Sequence, residues 1–281
     1  MRIYRLERRI SHADVDFLGE LKVAALLGLL EQAAIEASID AGFDAEWYAR
    51  EQRIWIIHRT RLQRLVPVGG GDRISVETTV SDCRRVRSLR RYAVHRGAVE
   101  IARATTDWVY CDSVTGRPAR VAEALQREFL PEGAAVVALP RAPAIRTDPP
   151  AEAVAHDLIV QPSHLDHVTH VNNAVYASFL EDGGFAWFAA HGWPLQRMLA
   201  TNGALRVEWL DSEHRSDAQV GEALTVRSWS AADTALELAA GQPWAARLLQ
   251  LICRADGSEV VRTASDWVWR RKAAIAGRPP V

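Results

Sequence analysis

Three cysteines in 281 residues, Cys83, Cys111 and Cys253, are too few and too scattered for a disulfide framework or a thiolate metal site. That usage leads to the expectation of a reducing, cytoplasmic setting. Neither sign of charge dominates: 34 Lys and Arg stand against 35 Asp and Glu, a net of −1. No global field therefore draws the chain to nucleic acid or to a membrane surface. No apolar run approaches the roughly 20 residues that span a bilayer. The charged start, Met1 to Arg9, has no apolar core of the kind a signal peptide needs. Gly69-Gly70-Gly71 lacks the lysine and hydroxyl of a phosphate-cradling loop and reads as a turn. His58, His156, His164, His167 and His191 have no metal-ligand spacing. Neither a metal nor a cofactor is expected.

What is present is a normal globular composition, 48% hydrophobic and 25% charged, written twice. Glu100 to Tyr110 (EIARATTDWVY) matches Glu259 to Trp269 (EVVRTASDWVW) without a gap. Earlier anchors align at a smaller offset: Asp16 with Asp166, Glu31 with Glu181, and Gly71-Asp72 with Gly221-Glu222. Collinear anchors of this kind indicate two copies of one unit. The change of offset calls for an insertion of about nine residues, expected near 240–248.

Each copy has the same order of elements. A strand at about 2–9 precedes a helix at roughly 20–40, where Val23, Leu26, Leu27, Leu30, Ala33, Ala34 and Ala37 recur at helical spacing. Four strands follow. In the second copy a strand at 158–160 precedes a helix at about 172–191. Strands are then expected near 203–210, 223–230, 233–239, 246–254 and 258–270. The predicted division is a first unit at 1–130, a proline-rich linker at 131–155, a second unit at 156–272 and a tail at 273–281. A helix wrapped by an antiparallel sheet is the hotdog arrangement. The expected fold class is α+β, a tandem hotdog paired internally as a pseudo-dimer.

The chemistry is concentrated in Asp166-His-Val-Thr-His170-Val-Asn172-Asn173, followed by Tyr176, Glu181 and Asp182. A carboxylate and an imidazole at the start of a helix can activate water beside a carbonyl, and the helix amides favour an oxyanion. Asn172 and Asn173 also suit any helix N-terminus. In the first copy His170 is replaced by Glu20, and the two asparagines by Lys22 and Val23. That copy is expected to be a scaffold without catalysis of its own.

Several segments carry a family resemblance. Ile54-Trp-Ile-Ile57, Val66 to Val76, Leu89 to Val94, Ala102 to Val109 and Thr115-Gly-Arg-Pro118 resemble the first hotdog of acyl-acyl-carrier-protein thioesterases. Leu165-Asp166-x-x-x-His170-Val-Asn-Asn-x-x-Tyr176 resembles that family's catalytic segment. The resemblance implies hydrolysis of a fatty acyl thioester on acyl carrier protein. It places Asp166 and His170 at catalytic positions. Adding the chemistry of the neighbouring residues and of the basic run, the expected catalytic set is Asp166, His170, Asn173 and Glu213, and the expected substrate-binding set is Asn172, Tyr176, Glu181, Arg90 and Arg91. Two positions depart from the family pattern: Val168 stands where an asparagine is usual, and Ser212 where a glutamate is usual, with Glu213 beside it. An acyl-CoA thioesterase and a non-catalytic acyl-binding or scaffolding protein are the alternatives. The basic run from Arg84 to Arg96 is a candidate docking patch for the acidic carrier protein. Two double hotdogs could pair further as a homodimer.

Overall fold

The computed structural model describes residues 2–130, 148–166, 169–230 and 245–272. The first half runs β1 (Tyr4–Arg9), α1 (Val23–Asp40), α2 (Ala45–Arg50), β2 (Arg53–Arg64), β3 (Arg73–Arg84), β4 (Arg87–Arg96), β5 (Val99–Asp112) and α3 (Glu123–Phe129). The second half runs β6 (Val154–Ile159), α4 (Asn173–Ala190), α5 (Leu195–Ala200), β7 (Gly203–His214), β8 (Ala223–Ser230), β9 (Ala245–Arg254) and β10 (Glu259–Arg271). The starts of α1 and α4, of β2 and β7, and of β3 and β8 are all offset by 150 residues (173 − 23, 203 − 53, 223 − 73). The offset has changed by β10, which places the extra residues between Ser230 and Ala245. The strand expected at 233–239 lies outside the described residues. So do most of the proposed linker and all of the tail, although β6 begins at Val154, inside the segment read as linker.

The ten strands form one antiparallel sheet in the order β1-β3-β4-β5-β2-β7-β10-β9-β8-β6. The halves join where β2 meets β7, and there Arg61 lies opposite Asp211. These two residues are themselves offset by 150 (211 − 61), so a pseudo-two-fold axis passes between them. Across this seam the Arg59 guanidinium grips the Asp211 carboxylate with two hydrogen bonds, at 2.6 and 2.7 Å. Every strand therefore has neighbours on both sides except the short edge strands β1 and β6, which pair only with β3 and β8.

The sheet wraps two helices that lie side by side, α1 and α4. Leu26, Leu30 and Ala33 of α1 enter one core with Trp187 and Phe188 of α4 and Trp267 of β10. The helix closest to the sheet uses glycine for that approach. A Cβ on Gly184 would sit 2.4 Å from the Trp267 ring, and one on Gly183 would sit 2.5 Å from Val226. The matching positions of α1 are Ala33 and Ala34, small for the same reason. Gly42, at φ +87°, closes α1 in the left-handed conformation that glycine tolerates best.

Candidate active site

Asp166 and His170 are tied to each other by two hydrogen bonds ahead of α4. The Asp166 N–H donates to the His170 carbonyl at 2.8 Å, and the His170 N–H donates to Asp166 Oδ1 at 3.2 Å. The first half builds the same staple from Asp16 and Glu20, at 2.8 and 3.2 Å. The tight position of the turn is Gly19 in the first copy, at φ +84°, but Thr169 in the second, at φ +65°. A β-branched residue in that conformation stores roughly 1–3 kcal/mol of strain, a cost that clusters at functional sites. Thr169→Gly is therefore expected to raise the unfolding midpoint modestly, as denaturant titration would register.

Asn172 caps α4: its Oδ1 accepts the Ala174 N–H at 2.8 Å. Asn173 is the first helical residue, so its N–H has no intrahelical acceptor and points out of the positive end of the helix. The His170 ring is 42% exposed, with Nε2 3.5 Å from Asp217 Oδ2.

Beside this helix start opens a crevice between the halves, enclosing about 450 Å³ including solvent at its mouth. Asn173, Ala174, Ala177 and Leu180 line it from α4, and Leu27, Leu30 and Glu31 from α1. Ile57, Thr60, Tyr92, Thr106 and Trp108 come from the first-half sheet, and Leu210, Ser212 and His214 from β7. It is mainly hydrocarbon with a few polar groups, the usual make-up of a small-molecule site. Both halves thus build the space, whereas Asp166, His170 and Asn173 belong to the second.

Five of the residues assigned to the site from sequence are elsewhere. Glu213 alternates with Ser212 and His214 along β7, so its side chain leaves the opposite face of the sheet. There Arg215 holds its carboxylate at 3.2 Å and His58 stands at 3.6 Å. Glu181 lies at the other end of the pseudo-dimer, where Arg206 joins it at 3.0 Å to Asp16 at 2.8 Å. Tyr176 is buried and its hydroxyl accepts the Ala218 N–H at 3.0 Å. It braces the loop after β7, and burial raises its phenol to about 12. Arg90 is buried, donating to Thr78 Oγ1 and lying over the Phe129 ring of α3. Burial lowers its pKa. Arg91 is exposed on the alternate face, away from the crevice.

The basic run as a whole is largely neutralised. Arg84 pairs with Asp82, Arg87 with Asp107 and Arg96 with Asp72. It does not form the concentrated patch that the sequence suggested.

Sequence reasoning missed Glu31 and His214. The signal for Glu31 was present, since it is the repeat partner of Glu181. His214 is the repeat partner of Arg64. Burial, with neighbouring His58 second, lowers its imidazole from 6.5 to about 4, so the ring is neutral at pH 7. Between those values the unfolded chain binds a proton that the folded chain does not, so stability falls as pH drops through that window. The loss is at most about 3 kcal/mol. His214→Asn is expected to flatten the fall in unfolding free energy between pH 6.5 and 4, which denaturant titrations at several pH values would read.

Among the described residues no cluster of His, Cys, Asp and Glu could hold a metal ion, and no helix is long and apolar enough to cross a membrane. Residues 2–129 match the family model for the acyl-ACP thioesterase N-terminal domain. The chain is similar in structure to an acyl-ACP thioesterase from Bacteroides thetaiotaomicron, at 17% identity and a TM-score of 0.73 over 95% of this chain and 98% of that one. It is likewise similar to the 12:0-ACP thioesterase from Umbellularia californica, at 16% identity and a TM-score of 0.74, covering 96% and 98%. An oleoyl thioesterase assignment from Lactobacillus plantarum superposes at a TM-score of 0.79 with 17% identity, covering 95% and 96%. No curated protein sequence matches.

Proposed function

With residues 2–129 an acyl-acyl-carrier-protein thioesterase N-terminal domain and nearly the whole chain in the tandem hotdog fold of such proteins, we propose that this protein hydrolyses fatty acyl-carrier-protein thioesters. The observation that carries the proposal is a hydrocarbon crevice that ends at the free start of α4, beside a stapled Asp–His loop. The acyl tail would lie among Leu27, Leu30, Ile57 and Leu210. The thioester carbonyl oxygen would take the Asn173 N–H, where the helix start favours the negative charge of the tetrahedral state. Asp166 would deprotonate the attacking water, or attack the carbonyl itself and be released by water. In either route the carbon–sulfur bond breaks and the departing thiolate takes up a proton. His170, half exposed and beside Asp217, is the group expected to hand that proton from Asp166 to the leaving sulfur. Neutral His214 and Ser212 line the same crevice and offer hydrogen bonds to the substrate.

The first half contributes one wall of the acyl pocket and, in Glu31, a carboxylate that lines it. Its own loop has no equivalent of His170 or Asn173. In place of an open site stands a closed set of ion pairs linking Asp16, Glu20, Glu181, Arg64 and Arg206. Glu31→Gln is expected to lower kcat about tenfold, less than loss of the principal base, with KM little changed. Unchanged kcat would remove Glu31 from the site.

The function is tested by following thiol release from a panel of acyl-carrier-protein and acyl-CoA thioesters of six to eighteen carbons. Release from the carrier-protein thioesters at a higher kcat/KM than from the CoA thioesters supports the reading. Release from none of them overturns it.

A further inference from the structure

The inner face of the sheet, which should be hydrocarbon beneath two apolar helices, carries a row of polar side chains. Strand pairing sets Thr106 opposite Thr60, Thr60 opposite Ser212, and Ser212 opposite Thr263. The row continues through Gln250 to Ser228. All six are buried, none above 5% exposure. In its second-half portion the row is tied into the protein. Thr263 donates to Ser212 Oγ at 3.2 Å, and the Gln250 amide donates to Ser228 Oγ and to the Leu180 carbonyl at 3.0 and 2.8 Å.

The first-half portion is different, because it lines the crevice. Thr60, Thr106, Ser212 and Tyr92 all border that space. Thr106 Oγ1 accepts the Trp108 indole N–H at 2.6 Å and lies 3.0 Å from the Tyr92 hydroxyl. Tyr92 and Thr106 hold two hydroxyl hydrogens between them, and one satisfies their mutual bond. The other has no acceptor within the pair, whichever way the bond runs. Arg90 pairs with Thr106 across β4 and β5, and its guanidinium, which donates to Thr78 and lies over Phe129, is buried and without a carboxylate partner among the described residues. A cation there attracts the hydroxyl oxygens and turns their hydrogens the other way, towards the crevice.

A plain alkyl tail offers no acceptor to that spare hydroxyl hydrogen, at a cost. We infer that the crevice takes an oxygen-bearing acyl chain, one with a hydroxyl or keto oxygen that accepts from the Tyr92–Thr106–Thr60 group. The inference rests on the thioesterase reading, but it concerns the tail and not the reacting carbonyl. Adjacent strands are about 4.8 Å apart. Thr60 and Thr106 therefore lie one and two strand spacings from Ser212, at a depth that the early and middle carbons of a chain would reach.

The test compares octanoyl thioesters of carrier protein with counterparts carrying a hydroxyl or keto oxygen at carbon 3, 5 or 7. At least one oxygenated substrate is expected to exceed octanoyl in kcat/KM by tenfold or more. A site built to bond an oxygen discriminates strongly against a chain that lacks it. Thr106→Val and Thr60→Val should each reduce that ratio at least fivefold, and Thr106→Ser, which keeps the hydroxyl, should restore it. Calorimetry of the wild-type chain with the free hydroxy and unsubstituted acids reads the same preference without catalysis. If no thioester is cleaved but the oxygenated acid still binds more tightly, the hydrolase reading fails and the tail site stands. If octanoyl is preferred in both measurements, or the valine variants leave the ratio unchanged, the tail site is overturned. Should the valine variants not fold, the wild-type ratio and the calorimetry decide the matter.

Discussion

Asp166→Asn is expected to lower kcat by at least about two orders of magnitude, the usual worth of a positioned proton-transfer group. Asparagine is the informative replacement because its side-chain oxygen can still accept the His170 N–H that Oδ1 accepts now. The loop staple survives and the charge does not. Asp166→Ala should lose activity to a similar degree and, in addition, about 1 kcal/mol of stability with the lost hydrogen bond. His170→Ala should fall by a comparable factor in turnover, with little change in stability, since its ring is half exposed. Thiol-release assays on variants with matched thermal unfolding separate these outcomes. Near-normal turnover by Asp166→Asn would show that Asp166 only shapes the turn, as Asp16 does in the first half.

The second large effect lies at the opposite end of the pseudo-dimer. Arg206, with a side chain 3% exposed, sits between Asp16 at 2.8 Å and Glu181 at 3.0 Å. Burial raises the pKa of Glu181, Arg206 opposing that shift. Arg206→Met leaves two buried carboxylates without their cation and is expected to cost about 3–5 kcal/mol. The loss should be largest at neutral pH and shrink on acidification, because protonating Glu181, whose pKa burial raises, removes uncompensated charge. The triple variant Asp16→Asn, Glu181→Gln, Arg206→Met should recover most of the stability. Denaturant midpoints at pH 5 and pH 7.5 check both statements. A loss that is the same at both pH values would mean that packing, not charge, dominates at Arg206.

Much of this architecture was legible in the sequence because a duplication repeats its own evidence. The two long helices were expected at roughly 20–40 and 172–191 and run from Val23 to Asp40 and from Asn173 to Ala190. The short helices α2, α3 and α5 were not read. Six or seven residues carry too few turns to show a period. Their signals are local, such as Asp44, whose side chain caps α2 by accepting the Trp47 N–H.

The site was harder, and the reasons are geometric. Glu181 follows Asp166 closely in sequence, yet the two-fold relation turns it towards the first half's loop and brings Glu31 to the crevice instead. Glu213 fails by strand parity, since its neighbours Ser212 and His214 face inwards. Arg90 and Arg91 read as one surface patch, but consecutive strand residues point to opposite faces, and α3 covers Arg90. The hydroxyl row is invisible along the chain because its members come from six different strands.

The most direct test of the account is a crystal structure with a non-hydrolysable analogue, an acyl chain joined by a ketone to a phosphopantetheine thioether. The predicted result places the ketone oxygen about 2.7–3.1 Å from the Asn173 N–H, at hydrogen-bonding distance for an oxyanion site. Asp166 should flank the carbonyl carbon, and the tail should lie among Leu27, Leu30, Thr60 and Tyr92. A ketone bound instead beside Asp16 and Glu20, or a tail lying outside the crevice between the halves, would contradict it.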